Sequence, residues 1–468
     1  PVVDTIGGDD ALFGLRERDC GDRPACFGQG VPGRAELSAA AVDHQEVRIG
    51  SVVPSLDRSP GSPPESTSDS SGSMAITSRS ERSRSSLKYW AIPVIVPPVP
   101  TLASGHVRHV GEAVAAVVAE TRDIAEAAAE MVTLEVRATR VAADLEGARN
   151  APGVWTDAPG NRVFLHETGN AERVARTLAD APHVIRQRLA ISRVHAMTME
   201  PRSALARWDS GEGRYILHAG TQAPHRLRDG LASAMGIPAQ RLRLVADSCG
   251  GSFGMRNAPA PEHLCLLAAA RATGRAVGWV ETRAEAMLAS PHAREQIVDA
   301  TLALDGEGML LALKVDVAAA MGAYVGPSAL HSATGNLPSL AGPYRLPAIH
   351  ARVEGLHLNT QTMAAYRGAG RPEATFVIER MIDIAAARLG YDRVDLRRRN
   401  LIPSSALPWT NPLGFTYDSG DFVGTLDCAL DISNWSGVAE RSARARARGR
   451  LHGIGLACAI EIAGGPGT

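Results

Sequence analysis

The sequence predicts an α+β fold, a mixed α/β chain in which short strands and amphipathic helices follow one another. Residues 224–235 and 261–272 each begin with proline and stop beside a glycine, the pattern of a helix with proline in its first turn. Two long β-type runs, residues 294–304 and 310–320, flank the turn Asp305-Gly306-Glu307-Gly308 and predict a hairpin. Together these signals indicate a domain that contains both sheet and helix.

The remaining elements follow from local patterns. Residues 113–119 predict a strand, Thr121 the N-cap of an Ala-rich helix over 122–131, and residues 132–136 a returning strand. Further strands are predicted at 214–219 and 241–246, and further helices at 372–389, 422–433 and 436–449. The last helix is polar and rich in arginine, so we expect a solvated face there.

Charge and composition exclude several classes of protein. The chain has 468 residues, 45% of them apolar, with Lys+Arg 49, Asp+Glu 50 and a net charge of -1. This length suits about two or three domains, and the balanced charge argues against a dedicated nucleic-acid binder. The 6 cysteines include no C-x-x-C pair, which argues against a zinc ribbon or an iron–sulfur cluster in this chain. No apolar run approaches the ~18 residues of a membrane span, and we expect a cytoplasmic protein.

The first part of the chain has a different composition. Residues 1–87 show no sustained period of a helix or a strand, and Ser, Pro and Arg dominate residues 51–86. Such a segment cannot bury enough apolar surface to offset its ordering entropy. Two interpretations stay open, a disordered linker or a segment translated out of frame, and order is expected to begin near Lys88.

Three loops carry residues that suit a ligand. Gln222 ends the loop Gly220-Thr221-Gln222 and can present its amide to a ligand or cap a helix. Residues 249–256 (CGGSFGMR) can turn backbone N–H groups toward an anion, or can form only a tight turn. Residues 365–374 (AYRGAGRPEA) run with Arg367 and Arg371 into a helix N-terminus, which favours a phosphate or an oxyanion. The alternative there is an arginine that pairs with a carboxylate.

These three loops, in this order, resemble the molybdenum-binding large subunit of the xanthine dehydrogenase / aldehyde oxidase / carbon monoxide dehydrogenase family. The most specific match is YRGAGRPEA at 366–374, with the helix that follows it and LRRRNLIP at 396–403. Residues 250–256 are similar to the family's Gly-Gly-Gly-Phe-Gly loop, with Ser252 in place of its third glycine. Met199-Glu200-Pro201-Arg202 also matches, and the resemblance covers roughly residues 105–468.

The resemblance implies an oxidoreductase whose molybdenum is held by the dithiolene of molybdopterin, in the cytosine dinucleotide form, so that no protein side chain ligates the metal. By position, Gln222 would hydrogen-bond an oxo ligand of the metal and Arg367 would lie beside the substrate, and these two are the predicted catalytic residues. The predicted cofactor-binding residues are Gln222, Gly251, Ser252, Phe253, Gly254, Arg367, Gly368, Ala369 and Gly370. The substrate would be an aldehyde or an N-heterocycle, hydroxylated with water as the oxygen source. Electrons would pass to a small subunit with [2Fe-2S] clusters and a medium subunit with FAD.

The resemblance also gives expected domain limits. Residues 1–87 stay unassigned, 88–148 would be a partial α/β hammerhead domain, 149–405 the first molybdenum-cofactor-binding domain and 406–468 the truncated start of a second. The family's Gly-x-Gly-Glu loop with its general base is not found, so this chain alone is expected to be inactive. A non-catalytic fragment or pseudogene product is the alternative to an enzyme. Gly368 stands where the copper-containing carbon monoxide dehydrogenases carry Cys, which argues against CO as the substrate.

Overall fold

The computed structural model describes residues 47–51, 99–326 and 328–462. In these ranges the chain forms a six-stranded sheet, a five-stranded sheet and a two-stranded hairpin, with helices packed against the larger sheets. The predicted mixture of α and β structure is thereby confirmed. None of the helices in these ranges combines the length and the apolarity that a membrane span requires.

The secondary structure is as follows, in chain order. The strands are β1 (Val47–Ser51), β2 (Ala116–Ala119), β3 (Arg162–Gly169), β4 (His183–Val194), β5 (Ser203–Asp209), β6 (Arg214–Ala219), β7 (Leu242–Val245), β8 (Val277–Val280), β9 (Ala293–Leu304), β10 (Leu310–Gly322), β11 (Ile349–His357), β12 (Trp409–Thr410) and β13 (Thr416–Tyr417). The α-helices are α1 (Arg122–Glu130), α2 (Ala171–Asp180), α3 (Pro224–Ala234), α4 (Pro261–Thr273), α5 (Arg283–Ala289), α6 (Arg371–Leu389), α7 (Arg393–Asn400), α8 (Phe422–Ile432) and α9 (Val438–Ala447).

The six-stranded sheet has the order β2-β1-β8-β5-β6-β7. Strands β6 and β7 are parallel neighbours, with Tyr215 opposite Leu242 and His218 opposite Val245. Helices α3 and α4 bury leucines against this sheet, among them Leu227 and Leu266. Because parallel strands end at the same sheet edge, the loops that follow β6 and β7 emerge side by side.

The five-stranded sheet has the order β3-β11-β10-β9-β4, in which only β10 and β11 are parallel. The amphipathic helix α6 packs its apolar side on this sheet, and α2 packs with Val174 on a smaller cluster of Ala303, Ala312 and Ala348. Burial of this kind stabilises a fold by about 25 cal/mol per Å² of apolar surface. The sheet therefore holds the N-terminus of α6, where the third candidate loop ends, in a fixed place.

A buried ion pair joins α6 to α7. Arg397 is fully buried, and its guanidinium group donates to Glu379 Oε2 at 2.8 Å and to Asp383 Oδ1 at 2.8 Å. The hydroxyl of Tyr344 donates to the other Glu379 oxygen at 2.5 Å. A buried charge of this kind is tolerated only when it is paired and hydrogen-bonded, as it is here.

The helix predictions from proline and glycine are confirmed to within one or two residues. Helix α4 ends at Gly274, which has a φ of +68°, and Thr121 caps α1 by accepting from the N–H of Ile124. The predicted hairpin is β9 with β10, and Asp305 Oδ1 accepts from the N–H of Glu307 and of Met309 across its turn.

One strand prediction is wrong. Apolar and polar residues alternate along residues 132–136, but this segment forms no strand. No described strand lies beside it to complete a ladder. Conversely, Val47–Ser51, within the segment expected to lack order, forms β1 and pairs with β2 and β8. The rest of the segment before residue 88 lies outside the described residues.

Candidate functional site

The three candidate loops meet around one open cavity of about 890 Å³. The loop after β6, the glycine loop after β7 and the loop before α6 each contribute to it. The lining residues are Gln222, Arg226, Cys249, Ser252, Phe253, Gly254, Asn257, Ser328, His331, Ala365, Tyr366, Arg367 and Ala369. Six of the nine predicted site residues are therefore brought together at one surface.

The side-chain amide of Gln222 is held in one orientation. Its Oε1 accepts a hydrogen bond from the backbone N–H of Gly254 at 2.8 Å and another from the Ser252 hydroxyl at 2.5 Å. A backbone N–H can only donate, so the atom that faces Gly254 is the oxygen, and the NH₂ group is on the other side. Gln222 is exposed and lines the cavity, where its NH₂ group is available to a ligand. The alternative in which Gln222 caps a helix is not what the structure has, since Ala223 is the N-cap of α3 and no side chain caps it.

The buried Arg256 and its partner Glu200 hold the glycine loop of residues 249–256 in place. The Arg256 guanidinium donates to Glu200 Oε2 at 2.6 Å and to Thr198 Oγ1 at 2.8 Å. The same Glu200 oxygen accepts from the N–H of Gly250 at 2.7 Å. Arg256 is 8% exposed, so the guanidinium side of the pair is shielded from water, while Glu200 is partly exposed. The charged pair thus helps to set where the backbone of this loop lies.

Glycine is required at position 254. Its φ is +104°, and a Cβ there would lie 2.4 Å from the carbonyl oxygen of Ala365. Its neighbour Phe253 has a φ of +52°, in the left-handed region that residues other than glycine rarely adopt. The loop is thus pressed against the chain that leads to Arg367, and its backbone conformation is strained on the side that faces the cavity.

Arg367 lies on the same loop as Tyr366 and reaches toward Phe253. Its backbone N–H donates to the Phe253 carbonyl at 2.9 Å, and its guanidinium carbon is 5.0 Å from the centroid of the Phe253 ring. The side chain is exposed, and it has no carboxylate within ion-pair distance among the described residues. The alternative of a carboxylate partner does apply to Arg371, which pairs with Glu461 at 3.1 Å.

The other predicted glycines lie just outside the cavity lining. Gly251, Gly368 and Gly370 have φ values of +113°, +96° and +98°. A Cβ on Gly370 would lie 2.4 Å from the Ser332 carbonyl oxygen, so this glycine lets α6 start against the neighbouring segment. These three residues shape the loops, while Ser252, Phe253, Gly254 and Ala369 face the cavity.

The described lining of the cavity is rich in donors and contains no carboxylate. Arg226 and Arg367 carry its positive charge. Burial lowers the pKa of His331, with a further contribution from Arg371, which disfavours the charged form of this side chain. Such a lining favours an anionic or oxo-bearing ligand.

The sequence reasoning missed Arg226, Asn257, Ser328 and His331. Arg226 lies in the first turn of α3, directly after the Gln222 loop, and this position was a signal that could have found it. Ser328 and His331 follow no motif and reach the cavity through the fold alone. In the described ranges no group of three or more His, Cys, Asp or Glu side chains could hold a metal ion.

Comparison with known proteins gives the family. A family model described as a molybdopterin cofactor-binding domain matches residues 154–401. The 6-hydroxypseudooxynicotine dehydrogenase complex subunit gamma of Paenarthrobacter nicotinovorans is 34% identical over 370 residues, which are 78% of this chain and 46% of that protein. The carbon monoxide dehydrogenase large chain of Hydrogenophaga pseudoflava is 29% identical over 99% of this chain and 60% of its own length.

A solved structure shows the same likeness. The crystal structure of quinoline 2-oxidoreductase from Pseudomonas putida 86 superposes with a TM-score of 0.71 at 32% identity, over 76% of this chain and 46% of that one. The chain thus spans roughly half the length of the relatives it matches. The chain belongs to the family of molybdopterin-binding large subunits of the xanthine dehydrogenases, carbon monoxide dehydrogenases and aldehyde oxidoreductases.

Proposed function

We propose that this chain is the catalytic large subunit of a molybdenum hydroxylase that oxidises an N-heterocycle or an aldehyde. In the net reaction, a C–H bond of the substrate is replaced by a C–O bond whose oxygen comes from water, and two electrons and two protons are released. Relatives named as a nicotine 6-hydroxylase large subunit (31% identical) and as quinoline 2-oxidoreductase favour the N-heterocycle. Gly368 in place of the cysteine of copper-containing enzymes argues against CO.

The observation that carries this proposal is the fixed amide of Gln222. Two donors hold its oxygen, so its NH₂ group is directed without any reorganisation when a ligand arrives. Preorganised donors of this kind stabilise developing negative charge far better than mobile ones. Gln222 would therefore donate to an oxygen of the bound cofactor.

The residues around the cavity fit a molybdopterin. The backbone of Ser252, Phe253 and Gly254 would lie against the cofactor because Gly254 brings the chain close, and Ala369 would face it from the other loop, whose shape Gly368 and Gly370 set. The carboxylate-free, arginine-bearing lining suits the anionic group. When bound, the cofactor supplies two-electron redox chemistry that no side chain here can supply.

Arg367 would hold the substrate. Its guanidinium lies over Phe253, and Phe253 meets Tyr366 edge to face with ring centroids 6.4 Å apart. A flat heteroaromatic ring suits such a wall of two aromatic rings and a planar cation. Its positive charge would stabilise negative charge that develops on the ring during the oxidation.

Partners would carry the electrons away. We infer a medium subunit with FAD, a small subunit with [2Fe-2S] clusters and the cytosine dinucleotide form of the cofactor. Two relatives, named as the gamma subunit of a dehydrogenase complex and as a large chain, support a multi-subunit assembly. The general-base glutamate that the family resemblance implies is not assigned to a residue of this chain.

The experiment is a turnover assay of the holoenzyme complex in water labelled with oxygen-18. Quinoline and nicotine serve as heterocycles, benzaldehyde as the aldehyde, and a dye as the electron acceptor. We expect a hydroxylated product that contains oxygen-18 and faster turnover of a heterocycle than of benzaldehyde. A complex with bound molybdenum that oxidises none of these compounds would instead support the non-catalytic alternative.

A further inference from the structure

Arg294 has a backbone conformation that residues other than glycine rarely adopt. It lies at the start of β9, and its φ is +77°. Holding a long side chain in this region costs roughly 1–2 kcal/mol. Strain of this kind persists only where the surrounding contacts determine it, and such positions cluster at functional sites.

The side chain of Arg294 contacts three residues in or directly behind the loop that carries Arg367. One guanidinium nitrogen donates to the backbone carbonyl of Arg367 at 3.0 Å, and the other donates to Glu373 Oε2 at 3.0 Å. The guanidinium carbon also lies 4.9 Å from the centroid of the Tyr366 ring. All three partners belong to the loop that carries Arg367 or to the first turn of α6 behind it.

Glu373 holds the arginine from the helix side. The two side chains are 15% and 6% exposed, so water competes little for the pair. Glu373 lies in the first turn of α6, where the helix dipole favours a negative charge. The carboxylate is thus fixed by the helix, and Arg294 is fixed by the carboxylate.

Arg367 needs this support because its own side chain is exposed and has no carboxylate partner in the described part of the chain. Its backbone N–H is taken by Phe253 and its backbone carbonyl by Arg294, so the peptide groups on both sides are held. An exposed arginine can be preorganised only through its backbone and its stacking partner.

We propose that Arg294, held by Glu373, is a positioning residue that fixes the Tyr366–Arg367 segment and so places the Arg367 guanidinium over Phe253. This inference rests on the function proposed above for the Arg367 cavity. Arg294 does not line the cavity; it acts on the reaction through Arg367.

The chain offers a matched control. The next residue, Glu295, forms its own ion pair with Arg193, with both side chains about one-fifth exposed. Arg193 otherwise donates to Thr360 Oγ1 at 2.8 Å and to the Gln361 carbonyl, neither of which belongs to the 366–370 loop. Glu295→Gln therefore breaks a neighbouring pair on the same strand without reaching Arg367.

The test compares Arg294→Met, Arg294→Lys and Glu295→Gln in the holoenzyme, with kcat, KM, molybdenum content and unfolding temperature measured for each. Arg294→Met is expected to lower kcat/KM about 10- to 100-fold with molybdenum content unchanged, since small misplacements of a catalytic group have effects of this size. Arg294→Lys should recover part of the loss through one hydrogen bond. Glu295→Gln should stay within about twofold of wild type.

A double-mutant cycle separates positioning from a general structural role. In an Arg367→Lys background, Arg294→Met should lower kcat/KM by less than about threefold, because the group it positions has already been altered. Equal losses in both backgrounds would overturn the inference, as would wild-type kinetics of Arg294→Met. If Arg294→Met does not fold, the same comparison is made with Arg294→Lys. A wild-type holoenzyme that turns over no substrate contradicts the proposed function and the inference with it, whereas an active wild type with unaffected variants contradicts the inference alone.

Discussion

Phe253 and Arg367 are joined twice, by a backbone hydrogen bond of 2.9 Å from the Arg367 N–H to the Phe253 carbonyl and by the guanidinium carbon 5.0 Å from the ring centroid. Phe253 follows the six-stranded sheet, and Arg367 precedes the helix that covers the five-stranded sheet. The cavity is therefore defined by a contact between loops that two different sheets position. We therefore expect substitutions in either loop to alter the geometry of the cavity.

Gln222→Glu tests the orientation of the amide. The new carboxylate can still accept from Ser252 and Gly254, but it lacks the NH₂ donor that faces the cavity. We expect kcat/KM to fall about 100-fold, as for loss of one preorganised donor, with the melting temperature nearly unchanged. Ser252→Ala keeps the amide and removes one of its two anchors, so its loss should be smaller. Wild-type kinetics of Gln222→Glu would refute the role given to this residue.

Arg367→Met tests the proposed substrate contact. The side chain is exposed and unpaired in the described structure, so the free energy of unfolding should change by less than about 0.5 kcal/mol. The kcat/KM for a heterocycle should fall at least about 10-fold, because a charged contact to the substrate is lost. Arg380→Met, which removes an exposed arginine of α6 away from the cavity, is the control. Equal activities of the two variants would exclude Arg367 from the site.

Gly254→Ala tests the close approach of the glycine loop. Its Cβ would meet the Ala365 carbonyl oxygen at 2.4 Å in addition to the strain of a φ of +104°. We expect a loss of about 2 to 5 kcal/mol in the free energy of unfolding, from backbone strain and overpacking together. Gly274→Ala is the control, since its φ is +68° but no atom lies within 4 Å of the added Cβ. It should lose only about 1 kcal/mol, and urea unfolding that finds equal losses would contradict the packing of this loop.

Glu354 should make the stability depend on pH in the acid range. Burial by itself raises the pKa of Glu354, but hydrogen bonds from Arg149 and Arg162 outweigh it and hold that pKa below its usual value. Because the folded pKa is the lower one, the carboxylate contributes its full stability above the unfolded pKa of about 4.3. That stability is lost as the pH falls through the folded pKa.

Glu354→Gln should accordingly be about 1 to 3 kcal/mol less stable than wild type at pH 7, since a buried charged hydrogen-bond partner is replaced. The difference should shrink as the pH falls below about 4. Glu146→Gln removes an exposed carboxylate that pairs with Arg188, and its difference from wild type should stay small throughout. Urea unfolding from pH 3.5 to 7 measures both. A constant difference for Glu354→Gln across this range would show that its carboxylate does not titrate with a lowered pKa.

The parts of the fold that local signals determine could be predicted from the sequence. Pro224 and Pro261 begin α3 and α4, and Gly274 ends α4, because these residues have strong conformational preferences of their own. A strand, by contrast, forms only beside a partner strand, and the local sequence does not identify that partner. Residues 132–136 have the alternation but no partner strand in the described part of the chain, whereas Val47–Ser51 pairs with β2 and β8.

The candidate site also contains some residues that the sequence predicted and others that only the structure revealed. Gln222, the 250–256 loop and Arg367 were found because each is a short motif in an ordered series. Other contacts at the site join residues that are distant in sequence, so no local pattern predicts them. Examples are the ion pairs of Arg256 with Glu200 and of Arg294 with Glu373. Arg294 gave a signal only in the structure, through its positive φ.

The most direct test of the central claim is the molybdenum content of the purified holoenzyme, measured by mass spectrometry for wild type and for Gly254→Ala. The claim is that the cavity lined by Gln222, Phe253 and Arg367 holds the molybdenum cofactor. It predicts stoichiometric molybdenum in the wild type and a clear loss in Gly254→Ala, because the added Cβ displaces the loop that would lie against the cofactor. Stoichiometric molybdenum in both proteins, or none in either, would contradict it.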